Sequence, residues 1–339
     1  ERAAASAGKH PAPFAPVRPS SADALVLPRG FTADVLAPWE AEIGGGLTAG
    51  FNHDWVGYFP VDLLSKSPDL AAPHRGFVPK KASSRDGILV VNHEYVNPLF
   101  VGGYSGSGPK TPAQLAAEQA AVGLSVMRVR RGKGGHWSVD AGDDTYARRS
   151  GGKPPGAGAL GGEETFRDNT PPAPAGNGGD PGVYGTRHYG WVVEVDPFDP
   201  ASLPRKHPAM GRFRHENVAV RVGAGGTVVA YMGDDKVDSC VYKFVADRKL
   251  STDRSSNLRI LESGTLYVAD FGNAAWLKLD YASQAKLRDA KKPDGTPMFT
   301  SQVDVLADAR EAAIALGATP VDRPEDIEIN PLDGSVFVA

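Results

Sequence analysis

Five times along this chain a glycine opens a short apolar run: GILVV (87–91), GWVV (190–193), GTVV (226–229), GTLYV (264–268) and GSVFV (334–338). Four of the five then reach an acidic tail: His93-Glu94, Glu194, Asp234-Asp235 and Asp270. Unbroken apolar runs of this length suit strands covered on both faces. A recurring inner strand suits the blades of a β-propeller, whose tails would point toward one mouth of a central channel. A β-sandwich is the alternative. The 40 glycines and 28 prolines in 339 residues agree with many short strands and disfavour a helical bundle.

The most informative stretch is Gly211 to Phe244. His215 and Glu216 precede an alternating run, Val218 to Val222, and a glycine-rich turn at 223–226 follows. A second run, Thr227 to Met232, ends on Gly233-Asp234-Asp235. This pattern predicts a β-hairpin that brings Glu216 and Asp234/Asp235 to one rim. Three carboxylates there repel each other unless a cation lies between them.

Further strands are predicted at Phe31–Leu36, Asp54–Phe59, Gly87–Glu94, Leu124–Arg130, His136–Val139, Gly190–Pro197, Val241–Val245, Thr265–Ala269, Ile327–Ile329 and Ser335–Val338. Thr111 to Val122 reads as a helix capped by Thr111, with Pro112 in its first turn. A second helix is predicted over Asp304–Leu316. Residues 1–28 read as an extended proline-rich lead-in, and 141–182 as a long loop. The domain expectation is a single unit over 29–339, incomplete at its C-terminus because the last residues stop inside a strand.

A net charge of -3 shows no nucleic-acid footprint. No apolar run reaches the roughly 20 residues of a membrane span. One cysteine, Cys240, excludes an internal disulfide and a cysteine-built zinc site. A small buried residue is its expected role. The start, Glu1 to Pro19, has no apolar signal core.

Two segments pair an imidazole with a carboxylate beside a strand: Asn52-His53-Asp54 and Asn92-His93-Glu94. Taken singly, each is an ordinary hydrogen-bonded turn. Glu163-Glu164 taken alone is a solvated acidic pair, and Arg323-Pro324-Glu325 a surface ion pair. Asp140, Asp143 and Asp144 are expected to be solvated. The sequence holds no GxSxG elbow, phosphate loop or HExxH helix. Oxygen-rich ligands point to hard cations, calcium first.

Taken in order, the motifs are more specific. FNHDWVGYFP (51–60), VVNHEYVNP (90–98), VGLSVMRVRR (122–131), GWVVEVDPFDP (190–200), GRFRHENVAV (211–220), YMGDD (231–235), VYKFV (241–245), SGTLYVADF (263–271) and GATPVDRPEDIEINPLDG (317–334) closely resemble the PhoX-type alkaline phosphatases. The likeness runs from about Pro28 to the end, apart from 141–182.

That resemblance implies a six-bladed β-propeller with helical and loop insertions, lacking its C-terminal blades in this chain. It implies an exported, periplasmic or extracellular, monomeric phosphatase, commonly sent out by the twin-arginine route. Phosphate monoesters, and in some members diesters, would be its small-molecule partners. Calcium ions (Ca2+) with an iron pair (Fe3+) would clamp the phosphate and activate an oxide or hydroxide nucleophile. Glu216 and Glu325 resemble the carboxylates that hold the metals, Arg323 the arginine that contacts phosphate, and Asp234 a calcium ligand. Glu163 and Glu164 look like the remnant of an acidic metal-binding segment. Asp235, His215, His93 and Glu94 are the weaker candidates. The family's iron-bridging cysteine falls at Gly162, which offers no side-chain ligand. A second reading follows from that glycine: a calcium-stabilised propeller homologue that binds phosphate or a phosphorylated ligand with little turnover. A calcium-using propeller lactonase is a third.

Overall fold

The computed structural model describes residues 14–65, 81–149, 160–162, 187, 189–330 and 332–339. The chain is mainly β, and the strands pair antiparallel in successive sheets. β1 (Glu42–Gly44) and β2 (Leu47–Thr48) form a small hairpin. β3 (His53–Pro60), β4 (Asp86–His93), β5 (Gly123–Arg131) and β6 (Trp137–Val139) follow one another in the next sheet, and β7 (Arg148–Arg149) pairs with β5. β8 (Leu160–Gly162), β9 (Val192–Glu194) and β10 (Arg205–Lys206) make a three-stranded sheet. β11 (His215–Val222), β12 (Thr227–Asp234), β13 (Val241–Lys249), β14 (Gly264–Asp270) and β15 (Ala275–Lys278) form a five-stranded sheet in sequence order. β16 (Ile327–Ile329) and β17 (Val336–Val338) close the described fold as a hairpin.

The unbroken apolar runs have the reason the sequence suggested. On β4, Ile88 and Val90 pack with Leu124 and Val126 of β5 and with Val193 and Val195 from the neighbouring sheet. On its other face Val91 joins Ile43, Met127 and Val129. The five-stranded sheet does the same. One face buries Phe213, Met232, Tyr242, Phe244 and Leu266 against Val305, Ala309 and Ala312. Its other face sets Val241 and Ala269 against Ile327. The strands in the middle of these two sheets are therefore covered on both faces, whereas the last run is not, because Phe337 and Val338 of β17 are exposed. Burying one such aromatic contributes about 1.5–3 kcal/mol, and Phe244→Ala would cost about 3–5 kcal/mol.

The β11–β12 hairpin forms as expected, with Val222 opposite Val228 and His215 opposite Asp234. Gly225 and Gly226 take φ of 69° and 82° in its turn, a conformation that glycine adopts without strain. Thr111 caps the helix Pro112–Ala121 in a full capping box with Gln114.

Three expectations change. Phe31–Leu36 forms no strand: Phe31 and Val35 are exposed, and only Leu36 packs against the core. The helix predicted over 304–316 is two helices, Gln302–Ala307 and Ala309–Leu316, broken at Asp308, whose φ of -121° and ψ of 48° are not helical. The expected loop at 141–182 carries the short strands β7 and β8, held by backbone pairing that leaves no side-chain periodicity. Most of the rest of that stretch lies outside the described residues.

Candidate functional site

The end of β12 and the start of β11 meet at one rim, because His215 pairs with Asp234. Glu216 follows His215 and is half-buried there. Its carboxyl is pushed up to about 7, first by burial and then by repulsion from Asp54, Asp235, Glu94 and Glu325. Carboxylates from well-separated segments of the chain therefore act on one another at this rim. Asp54 and Glu94 arrive because β3 and β4 pair with His53 opposite His93. Asn92 donates to Asp54 at 3.3 Å, and Asn52 donates to Glu94 at 3.3 Å, which ties the two strand ends together.

Arg323 borders the same rim. Its Nε and Nη2 each donate to Asp235 at 2.8 Å, and its Nη2 lies 2.5 Å from Glu325. The side chain is 54% exposed, whereas Asp235 is 5% exposed, so the guanidinium covers its partner and keeps a face toward solvent. Arg323 also has φ of 49°, an uncommon left-handed conformation for a residue with a side chain. Close packing holds the segment there. A Cβ on Gly233 would stand 2.0 Å from the Pro324 carbonyl oxygen, so only glycine lets the 323–325 segment lie against β12.

Beneath the rim lies a second arginine–aspartate pair that the sequence motifs do not reveal. Arg310 donates from Nε and Nη2 to the two oxygens of Asp234 at 2.7 and 2.6 Å, with side-chain exposures of 11% and 0%. Ser239 Oγ donates to the same carboxylate, and so does the Arg214 N–H at 3.1 Å. The signal was present. In the helix Ala309–Leu316, Ala309, Ala312, Ala313 and Leu316 face the core, and Arg310 is buried beside that stripe. A long charged residue at such a position needs a buried partner.

Several predicted ligands have other work in this geometry. Asp234 spends both oxygens on Arg310, Ser239 and Arg214, so a calcium ion would have to displace them. His215 uses Nε2 on the Gly211 carbonyl at 3.0 Å and stacks on Phe213 with ring centres 3.7 Å apart. Burial pushes its pKa down to about 4, which keeps it a neutral core residue. His93 donates to the Phe51 carbonyl at 3.1 Å and accepts from Ser125 Oγ at 2.7 Å. Burial lowers its pKa to about 3. Asp143 and Asp140, expected to be solvated, are paired with Arg128 and Arg130. Asp235 and Glu325 meet on Arg323, and their charges, with those of Glu94 and Asp54, act on Glu216.

Glu163 and Glu164 lie outside the described residues. The strand that leads to them, β8, pairs Gly162 with Val192. Cys240 is buried beside Asp234, and its thiol is pushed up to about 11, mainly by burial. Among the described residues no three His, Cys, Asp or Glu side chains already enclose a point where an ion would sit. No helix among them is long and apolar enough to cross a membrane.

The architecture and the rim define a mainly β protein with converging carboxylates and an arginine fork at one edge of its sheets. The family model described as alkaline phosphatase PhoX matches residues 12–180 and 145–339. The chain belongs to that family. The solved structure of Pseudomonas fluorescens PhoX in complex with vanadate, a transition state analogue, is similar, at 25% identity and a TM-score of 0.70. That match covers 96% of this chain and 67% of the other. No curated protein sequence matches the chain.

Proposed function

We propose that the chain is a metal-dependent phosphatase that hydrolyses phosphate monoesters, and some diesters, at the Glu216 rim. The observation that carries this reading is the convergence of Glu216 with Asp54, Asp235, Glu94 and Glu325 beside Arg323. Membership of a phosphatase family supports it. In this reading the successive sheets are blades of a propeller around that mouth, and the protein is exported.

The donor set fits calcium. It consists of hard carboxylate oxygens, and burial first and their repulsion second leave Glu216 holding its proton to about pH 7. Glu216, Glu325 and Asp235 would hold the ion; the family resemblance adds Glu163 and Glu164, which lie outside the described residues. When bound, calcium supplies positive charge against the carboxylates and the phosphate oxygens. The iron pair fits less well. Gly162 brings no thiolate, and Cys240 is buried under the rim with its thiol held protonated. No step is assigned to iron.

Arg323 would meet the substrate. Its fork donates to Asp235 and Glu325, and its exposed side presents the guanidinium to an arriving phosphate. Charge that develops on the phosphoryl oxygens would then be stabilised by a donor already in place. Asp54 and Glu94 add to the negative charge that acts on Glu216.

Hydrolysis of a chromogenic phosphate monoester tests this directly, with calcium, after chelation and in Arg323→Ala. Loss of activity in the second and third cases is expected. Activity indifferent to both would end the proposal. Gly162 favours one second reading, a phosphate-binding homologue with little turnover. Calorimetric phosphate binding by a calcium-loaded but inactive protein would mark it.

A further inference from the structure

We propose that Arg310, through its buried fork on Asp234, is a positioning residue that sets Arg323 at the acidic rim. The inference rests on the phosphatase reading for its consequence in catalysis, but its structural part stands on the geometry alone.

The two forks are joined by a short turn. Asp234 and Asp235 are neighbours, so whatever fixes one peptide fixes the direction of the other. Asp234 is held by two donors on Arg310, by the Ser239 hydroxyl and by the Arg214 amide. The turn they immobilise anchors residues 321–324 through both backbone and side chain. Ser239 and Val321 exchange both backbone hydrogen bonds, at 2.9 and 2.7 Å. The Arg323 amide donates to the Lys236 carbonyl at 3.3 Å. The Pro324 carbonyl lies against Gly233, and the Arg323 side chain ends on Asp235.

Arg323 needs such support. A non-glycine residue at φ 49° persists only where its surroundings over-determine it. Arg310 suits the task because a planar guanidinium holds a carboxylate in one orientation, which a lysine or an apolar pair does not. Buried charge pairs can often be replaced by apolar side chains without loss of stability.

The test uses the whole chain and two variants, Arg310→Lys and the paired Asp234→Asn/Arg310→Met, which removes both buried charges and so avoids a lone one. Amide hydrogen exchange is read at Val321 and Arg323, with the β4–β5 ladder as control. KM and kcat are read with p-nitrophenyl phosphate, and binding with inorganic phosphate. Both variants should speed exchange at Val321 and Arg323 by on the order of tenfold while the β4–β5 amides hold. KM and the phosphate dissociation constant should rise by a similar factor, with Arg310→Lys the milder. In an Arg323→Ala background the same changes should have no further effect on KM.

Unchanged exchange at 321–323 in a folded variant overturns the inference, whatever the activity does. So does an equal loss in the Arg323→Ala background, because Arg310 would then act without Arg323. A wild-type chain that neither hydrolyses the ester nor binds phosphate would instead sink the phosphatase reading. The exchange result would still decide whether Arg310 holds Arg323.

Discussion

Two arginine–aspartate forks stand one residue apart in this molecule, and they are built for opposite purposes. Asp234–Arg310 is dry, with exposures of 0% and 11%, and is closed by Ser239 and Arg214. Asp235–Arg323 has the same bidentate contacts, yet its arginine is 54% exposed and shared with Glu325. A fork sealed from water is fixed, because breaking it strands a charge in the core. A fork open to water can release its guanidinium to another anion at little cost. The same chemistry becomes a strut in one place and a hand in the other, and burial alone makes the difference.

The largest expected effect breaks the strut. Arg310→Met leaves Asp234 ionised and unpaired in the core, which should cost about 3–5 kcal/mol in urea unfolding. Adding Asp234→Asn should return most of that loss, since the stranded charge is gone. If the single and paired variants are equally unstable, the fork is not the source of the energy.

Arg323→Ala should behave in the opposite way. Unfolding should shift by less than about 1 kcal/mol, because Arg323 is 54% exposed and its removal opens Asp235, which it covers, to water. Hydrolysis of a phosphate monoester should fall by on the order of 10²–10³, as when one preorganised oxyanion donor is removed. An equal loss of stability in the two single variants would erase the contrast.

The contrast also marks what the sequence could tell. The hairpin of β11 and β12 was legible because its apolar alternation and glycine turn have one geometric solution, and that solution put Glu216 and Asp235 on a common rim. Asp54 was visible only as a turn residue and Glu94 only as an acidic strand tail and a weaker site candidate, since nothing local says that β3 and β4 present their ends to the same place. Arg310 was hidden for another reason. Helical spacing reveals which residues face a core, but not that a charge beside the stripe has a partner 76 positions earlier. β7 and β8 were missed because backbone pairing carries no side-chain signature.

Cys240 offers a reporter on the strut. It is 3% exposed next to Asp234, and its thiol is raised to about 11 by burial first and by the Asp234 charge second. A raised thiol pKa favours folding below the unfolded value near 9, and that advantage fades as pH climbs through 9 toward 11. Iodoacetamide should therefore label the folded chain slowly up to about pH 9, through opening rather than through thiolate in the closed state. Arg310→Met should accelerate labelling strongly and Arg323→Ala hardly at all.

The smallest effect concerns Asp235, where the open fork meets the other carboxylates. Asp235→Asn removes one of the charges that raise Glu216, and it loosens an arginine that water already reaches. In metal-free protein the two consequences oppose each other, so the melting temperature should move by no more than a few degrees. Calcium should reverse the balance. In the wild type, an ion at the rim would relieve the crowding of Glu216, Asp235 and Glu325 and raise the melting temperature as its concentration rises. With one carboxylate neutral the site loses both a ligand and part of the repulsion that made binding favourable, so the calcium-dependent gain should shrink. Asp234→Asn tested beside it decides which aspartate the ion uses. A calcium gain that survives Asp235→Asn but vanishes in Asp234→Asn would assign the ligand to the buried fork and reverse the roles of the two neighbours.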